Sequence, residues 1–197
     1  MNSSDFEFKD LVKASRTYRR FAGQAVSREV LLDLVDTARF APSGNNMQVL
    51  RFALADDPQQ VALLARHHGW AAALPDFNGP AEGELPGAYI GICAPQKVAQ
   101  NPIRLIDCGI AAQTICLAAA QKGLGTCMIK SFDAEASGIL GLDQTDYVLQ
   151  LLIALGQPAA DEQVVLEDVD DQHGVKYWRT EGNVHHVPKR SLGDLLV

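Results

Sequence analysis

Between Ile103 and Ala120 the chain is apolar nearly all round at helical spacing, interrupted by few polar residues. A helix without a polar face must be buried on most sides, so it belongs at the centre of a domain or in a subunit interface. Asn101-Pro102 opens it, with Asn as the cap and Pro at the first helical position, and Gly123 ends it. A chain of 197 residues is long enough to build a core around such a helix. No uninterrupted apolar run reaches the roughly 18 residues expected of a membrane span.

The other elements follow from local signals. Ser4 and Glu7 have the spacing of a capping box, predicting a helix with Phe8, Leu11 and Val12 on one face. Ser27 caps a second helix carrying Val30, Leu31, Leu34, Val35 and Ala38 at helical spacing, and Pro42-Ser43-Gly44 breaks it. Strands are expected over 49–54, 89–94, 126–129 and 148–154, and helices over 59–73 and 134–140. Residues 75–87 hold three Pro and three Gly and read as a loop. Gly156-Gln-Pro158 reads as a turn, and the segment from Asp161 onward as a polar tail. Repeats, low-complexity tracts and linkers are absent from the sequence, so one domain over 1–197 is expected, with mixed helix and strand.

Charge narrows the function. The net charge is -7, which argues against a nucleic-acid binder needing a broad basic surface. Cations nevertheless cluster at Arg16, Arg19 and Arg20, and again at Lys189 and Arg190, a distribution that suits a small anion. Residues 1–10 carry three acids and one Lys with no apolar stretch like a secretory signal, so a cytoplasmic location is expected. Cys93, Cys108, Cys116 and Cys127 form no C-x-x-C pair and each sits among apolar residues, the setting of buried free thiols. His67-His68 and His185-His186 read as surface histidines, because adjacent side chains diverge and no further ligand spacing completes a metal set.

Four segments are weighed for chemistry. In Ser15-Arg-Thr-Tyr-Arg-Arg-Phe21, Arg16 and Arg19 are three apart; on a helical turn they face the same way and, with Thr17, suit a phosphate. The same residues also read as a solvated basic turn. Pro42-Ser-Gly-Asn-Asn-Met-Gln48 offers amides and exposed backbone N–H groups to a flat polar heterocycle, or is an ordinary polar turn. Gly123-Leu-Gly125 follows a helix rather than opening one, so it is no dinucleotide fingerprint; its glycines cap the helix and start the next strand. Lys189-Arg190 is a basic pair that in isolation reads as solvated.

The order of these segments is more specific than any one of them. Residues 15–21, Ala41-Pro-Ser-Gly-Asn-Asn-Met-Gln48, Asp107-Cys-Gly-Ile-Ala-Ala-Gln113, Gly123-Leu-Gly-Thr-Cys-Met128 and Leu155-Gly-Gln-Pro158 together resemble the nitroreductase family. Lys176-Tyr-Trp-Arg179, Val187-Pro-Lys-Arg190 and the loop 78–84 resemble one subgroup of it, so the likeness covers roughly residues 6–194. That family often carries Arg where Ser15 stands, Ser at Thr17, a second Ser at Gly44, Pro-Trp at Val49-Leu50, and a small residue at Lys130.

The resemblance implies an α+β fold, a mixed and mostly antiparallel sheet flanked by helices, in an intertwined homodimer. It implies a tightly bound FMN at the subunit interface and NAD(P)H as co-substrate. Arg16 and Thr17 would lie near the phosphate and ribityl chain, and Arg19 near the phosphate or the pyrimidine edge. Pro42, Ser43, Asn46 and Gln48 would come from the other subunit. Met128, Ile129, Lys130 and Ser131 would pass the ring through backbone groups, and Lys189 and Arg190 would complete the phosphate cradle. FMN carries roughly two negative charges on its phosphate, which arginines and a lysine complement. The implied reaction passes a hydride from NAD(P)H through the flavin to a nitroaromatic, quinone or similar acceptor. Dehalogenation, dehydrogenation or flavin breakdown on the same fold, or flavin storage or sensing without turnover, stay open at this point.

Overall fold

The computed structural model describes residues 7–74 and 76–197. Its centre is the apolar helix. Helix α4 runs Pro102–Gln121; the Asn101 side chain accepts the Ile103 N–H, Pro102 fills the first turn, and Gly123 leaves the helix at φ 75°. Three further helices precede it: α1 (Phe8–Ala14), α2 (Arg28–Ala38, capped by Ser27) and α3 (Pro58–Leu64, capped by Asp57); α5 (Glu135–Ile139) follows. Ser4, read as a cap for α1, lies outside the described residues.

Four strands, β1 (Arg51–Ala55), β2 (Ala88–Pro95), β3 (Gly125–Ile129) and β4 (Tyr147–Gly156), form one sheet in the order β1-β2-β4-β3, antiparallel throughout. β2 and β4 are central and almost wholly buried, so both faces of this sheet are covered. On one face Ile90, Ile92, Ile153 and Leu155 pack against Leu31 and Leu34 of α2 and Ala112 and Ile115 of α4. On the other, Tyr89, Leu152 and Ala154 meet Val61 and Leu64 of α3, Ala136 of α5, and Phe21. All four cysteines are buried and free, with burial pushing the Cys93 thiol up to about 12 and Cys127 to about 11. The α+β class with a largely antiparallel sheet and flanking helices is therefore the observed one.

One chain does not bury α4 on most sides. Cys108, Ala111, Ala112, Ile115, Cys116 and Ala119 face the core, whereas Leu105 and Ile106 remain 44% and 60% exposed. By length and hydropathy α4 also matches a membrane span, yet its Arg104 and Asp107 are both buried and pair with each other at 2.9 Å. No residue of α1 is buried, and Phe8 is 72% exposed.

Three expectations are corrected. The helix expected over 59–73 stops at Leu64, because Gly69 and His67 join residues 131–133: Gly69 N–H donates to the Ser131 carbonyl at 2.7 Å and Asp133 N–H to that of His67 at 3.1 Å. Glycine disfavours a helix interior, and tertiary pairing takes over the backbone groups. The polar tail is a second sheet: β5 (Gln163–Asp168), β6 (Trp178–Thr180) and β7 (Val184–Lys189) lie in the order β5-β7-β6, with β5 parallel to β7. Its fastenings are polar. Glu162, whose side chain is fully enclosed, accepts from Arg20 and Arg179. Trp178 lies flat between the rings of His173 and His186, with interplanar angles of 9° and 3°. His185 is consequently not a surface residue but an interior one.

Candidate functional site

Residues 15–21 do not form a helical turn. After α1 the chain runs extended along the outer edge of β3: Thr17 bridges Thr126, Tyr18 N–H donates to the Thr126 carbonyl at 2.9 Å, and Phe21 bridges Pro158. Gly125 permits this approach, since a Cβ there would stand 2.6 Å from the Tyr18 ring. Along an extended segment side chains alternate, so Arg16 and Arg19 point to opposite sides rather than to one. The i,i+3 reading fails because strand pairing, not local propensity, sets the backbone here.

Each cation of the segment has a distinct setting. Arg16 is half-buried; its Nη2 donates to the Val12 carbonyl at 2.6 Å at the end of α1, and its Nε is enclosed without a partner. Burial lowers its pKa below the ordinary arginine value. Arg19 is 8% exposed, with Nη1 3.2 Å from His185 Nε2, its guanidinium 4.9 Å from the Tyr177 ring centre, and Nε enclosed without a partner. Arg20 is engaged by Glu84, Asp161 and Glu162; the Glu84 carboxylate above all raises its pKa, and Arg20 in turn lowers that of Glu84. Arg20 is thus a clamp between the 78–84 loop and the C-terminal sheet. Thr17 is exposed.

The segment 42–48 is held differently. Gly44 N–H donates to Asp107 Oδ1 at 2.8 Å, and Arg104 Nη2 donates to the Gly44 carbonyl at 3.0 Å. A Cβ at Gly44 would meet Ile103 Cγ2 at 2.2 Å and Arg104 Nη2 at 2.8 Å, so this grip on the backbone favours glycine. Asn45, Asn46 and Gln48 all have positive φ, at 55°, 53° and 45°. Left-handed backbone at non-glycine residues stores strain and concentrates at functional sites. Ser43 Oγ accepts the Gln48 N–H at 3.2 Å and Asn46 Oδ1 accepts from Gln48 Nε2 at 3.1 Å, which gathers Ser43, Asn46 and Gln48 on one short turn after Pro42.

On β3, Thr126 turns its backbone to the outer edge, where Tyr18 takes it. The antiparallel alternation then aims the backbone of Met128 and Lys130 at the same edge, beyond the point where Tyr18 pairs. Met128 is exposed and Ile129 is buried in the core. Lys130 Nζ donates to the carbonyl of Gln150 at 2.6 Å, the residue left over where β2 and β4 shift register. The Ser131 carbonyl is taken by Gly69. Lys189 and Arg190 are exposed at the end of β7, where Lys189 N and O groups continue the sheet past His185.

The structure therefore brings residues 15–21, β3 and β7 together. It keeps 42–48 apart. The first group joins β3 at Gly125, just past the C-terminal end of α4; the second is fastened to the first turns of that helix. Twenty helical residues separate the ends by about 30 Å. Sequence reasoning missed His185 and Tyr177, which hold Arg19, and gave no role to Arg104 and Asp107. The last two did leave a signal: an i,i+3 pair of opposite charges inside an otherwise apolar helix. Among the described residues no cluster of three or more His, Cys, Asp or Glu is placed to hold a metal.

Comparison with known proteins agrees with this fold. The chain is 27% identical over 157 residues to the FMN reductase (NADPH) of Bacillus subtilis strain 168, covering 73% of this chain and spanning 63% of that relative's length. A nitroreductase family protein of Clostridium novyi NT superposes with a TM-score of 0.65 at 25% identity, over 79% of this chain and 87% of the other. A protein of Exiguobacterium sibiricum 255-15, solved in complex with FMN, has the same fold, with a TM-score of 0.62 at 21% identity over 79% and 90% of the two chains. The model of the nitroreductase family matches residues 12–157, from the end of α1 through β4. With the extended 15–21 segment, the gripped 42–48 turn and the α4-centred fold all inside that span, the chain belongs to the nitroreductase family.

Proposed function

We propose that this chain is an FMN-dependent oxidoreductase that works as a homodimer, passing a hydride from NAD(P)H through the flavin to an electron-poor acceptor such as a nitroaromatic or quinone. The observation that carries the reading is the cationic segment along the β3 edge, where Arg16 and Arg19 have no carboxylate partner among the described residues. Partly buried cations without a counter-charge favour a bound anion. The names of the relatives, an FMN reductase and a protein solved with FMN, support the same ligand.

In this reading Arg16 and Thr17, with Lys189 and Arg190, hold the phosphate and ribityl chain. Arg19 lies at the pyrimidine edge. The outward backbone groups of Met128 and Lys130 pass the ring, with Ile129 and Ser131 shaping that strand. Bound FMN supplies the hydride-accepting and hydride-donating centre. The chain's own residues bind and orient it, and a cation near the pyrimidine edge favours the reduced form, where negative charge grows. No general acid or base is assigned.

Two features support a second subunit. Leu105 and Ile106 of α4 and Phe8 of α1 leave apolar surface open. The turn with Pro42, Ser43, Asn46 and Gln48 stands at the far end of α4 from Arg16 and Arg19, which supports its serving a site on the other protomer.

A visible spectrum of the protein loaded with FMN tests the reading. We expect yellow protein that bleaches anaerobically with NADH or NADPH and recolours with an acceptor. Protein that stays colourless with FMN sinks the proposal, and yellow protein that never bleaches reduces it to flavin binding without turnover. For the placement, Arg16→Ala with Arg19→Ala is expected to lose FMN while light scattering still reports a dimer; unchanged FMN affinity means the phosphate lies elsewhere.

A further inference from the structure

Arg19 and His185 stand 166 positions apart in the chain and meet in the interior, 8% and 2% exposed. The distance from Arg19 Nη1 to His185 Nε2 is 3.2 Å. An arginine offers only donors, so Nε2 is the acceptor and the ring carries its proton on Nδ1. The ring stays neutral: burial first, then the charges of Arg19 and Arg179, pull its pKa down to about 4. Tyr177 covers the guanidinium at 4.9 Å and stands 5.1 Å from the His185 ring, completing a neutral seat.

The chemistry of that seat is unusual for a buried cation. The nearby carboxylates are engaged elsewhere: Glu84 by Arg20, and Glu162 by Arg20 and Arg179. A carboxylate partner would cancel the charge of Arg19; an imidazole and a phenol ring fix its direction and leave the charge whole. The Arg19 Nε still has no acceptor. A rigid, uncancelled cation is what a site needs when negative charge grows during the reaction.

We propose that His185 is a positioning residue for the flavin: as a neutral acceptor it fixes Arg19 without neutralising it, so that the guanidinium presents its full charge to the pyrimidine edge of FMN. The inference rests on the flavin reading above. It assigns a role to the C-terminal sheet, since His185 lies on β7, beyond the residues 12–157 that the family model matches.

The test is the two-electron midpoint potential of the FMN-loaded protein, compared among wild type, His185→Phe and His185→Gln. Phe keeps a ring and removes the acceptor; Gln restores an acceptor. Losing one hydrogen bond to a charged group is expected to weaken reduced FMN relative to oxidised FMN about tenfold in His185→Phe. That lowers the potential by about 30 mV for a two-electron couple. His185→Gln is expected to recover most of the drop. An unmoved potential in His185→Phe, or an equal drop in both variants, overturns the positioning role. If His185→Phe does not fold, the wild-type holoprotein decides: its ring ¹⁵N spectrum is expected to show the Nδ1–H tautomer, and an Nε2–H tautomer or an imidazolium overturns the role. Wild-type protein that takes no FMN sinks the flavin reading and this inference together, whereas FMN-loaded protein with an unmoved potential overturns this inference alone.

Discussion

In the four-stranded sheet, β2 and β4 turn apolar side chains to both faces, and helices cover each side. In the three-stranded sheet the matching positions are half-exposed, and the fastenings are Glu162 between two arginines, His186 between Glu167 and Thr180, and His185 on Arg19. The first is held by area removed from water, which is non-directional. The second is held by directional polar contacts, some within the C-terminal segment and others reaching Arg19 and Arg20, more than 140 positions away. The first supplies a rigid edge at β3; the second supplies the groups that aim at that edge.

The largest effect is expected in the first sheet. Leu152→Ala empties a site that is fully buried in the second core cluster and is expected to cost about 2–5 kcal/mol of unfolding free energy in urea. Glu162→Gln in the second sheet should cost less, about 1.5–3 kcal/mol, because Arg20 and Arg179 retain some access to water. Hydrogen exchange separates the two: in Glu162→Gln, amides of β7 are expected to exchange faster while those of β2 do not change. Equal acceleration in both strands would mean that the two sheets are not held independently.

Acid sharpens the same contrast. His185 is held neutral in the fold, with its pKa down at about 4, so the unfolded chain takes up the proton first as pH falls. Stability is therefore full above the ordinary histidine pKa of about 6.5 and declines from there down to about 4. The lowered pKa of Glu84, caused first by Arg20, adds a further loss at still lower pH, as pH falls through the carboxylate range. Melting temperatures measured between pH 7 and 4, a span of about three units around that window, are expected to fall, with a shallower slope in His185→Gln.

Smaller effects lie outside both sheets. Gly44→Ser forces a Cβ against Ile103 and Arg104 and is expected to cost about 1–3 kcal/mol and to weaken FMN binding through the 42–48 turn. At the bottom of the scale, Lys13→Ala removes an exposed i,i+3 pair with Asp10, and the melting curve is expected to change by less than about 0.5 kcal/mol.

The division between the sheets is also the division between what could and could not be read from the residues. The caps Ser27 and Asn101, the terminating Gly123 and the apolar strands β2 and β4 are local signals, and each stands where it was expected. Residues 163–189 lack a long apolar run, and Arg19, the partner of His185, lies 166 positions away, so no window of sequence contains that contact. The same holds for 15–21, whose backbone is set by Thr126, Glu84 and Ala159 rather than by its own propensity. The candidate site was legible as an ordered set of segments, and its supporting residues were not.

The stack of Trp178 between His173 and His186 has an optical consequence. Imidazoles lying flat on an indole quench its emission, and the ring centres here are 3.7 and 4.9 Å apart. The neighbouring residue, Tyr177, covers Arg19. Trp178 thus forms a built-in fluorescence gauge, next in sequence to the ring that covers Arg19, expected to brighten when the C-terminal sheet loosens.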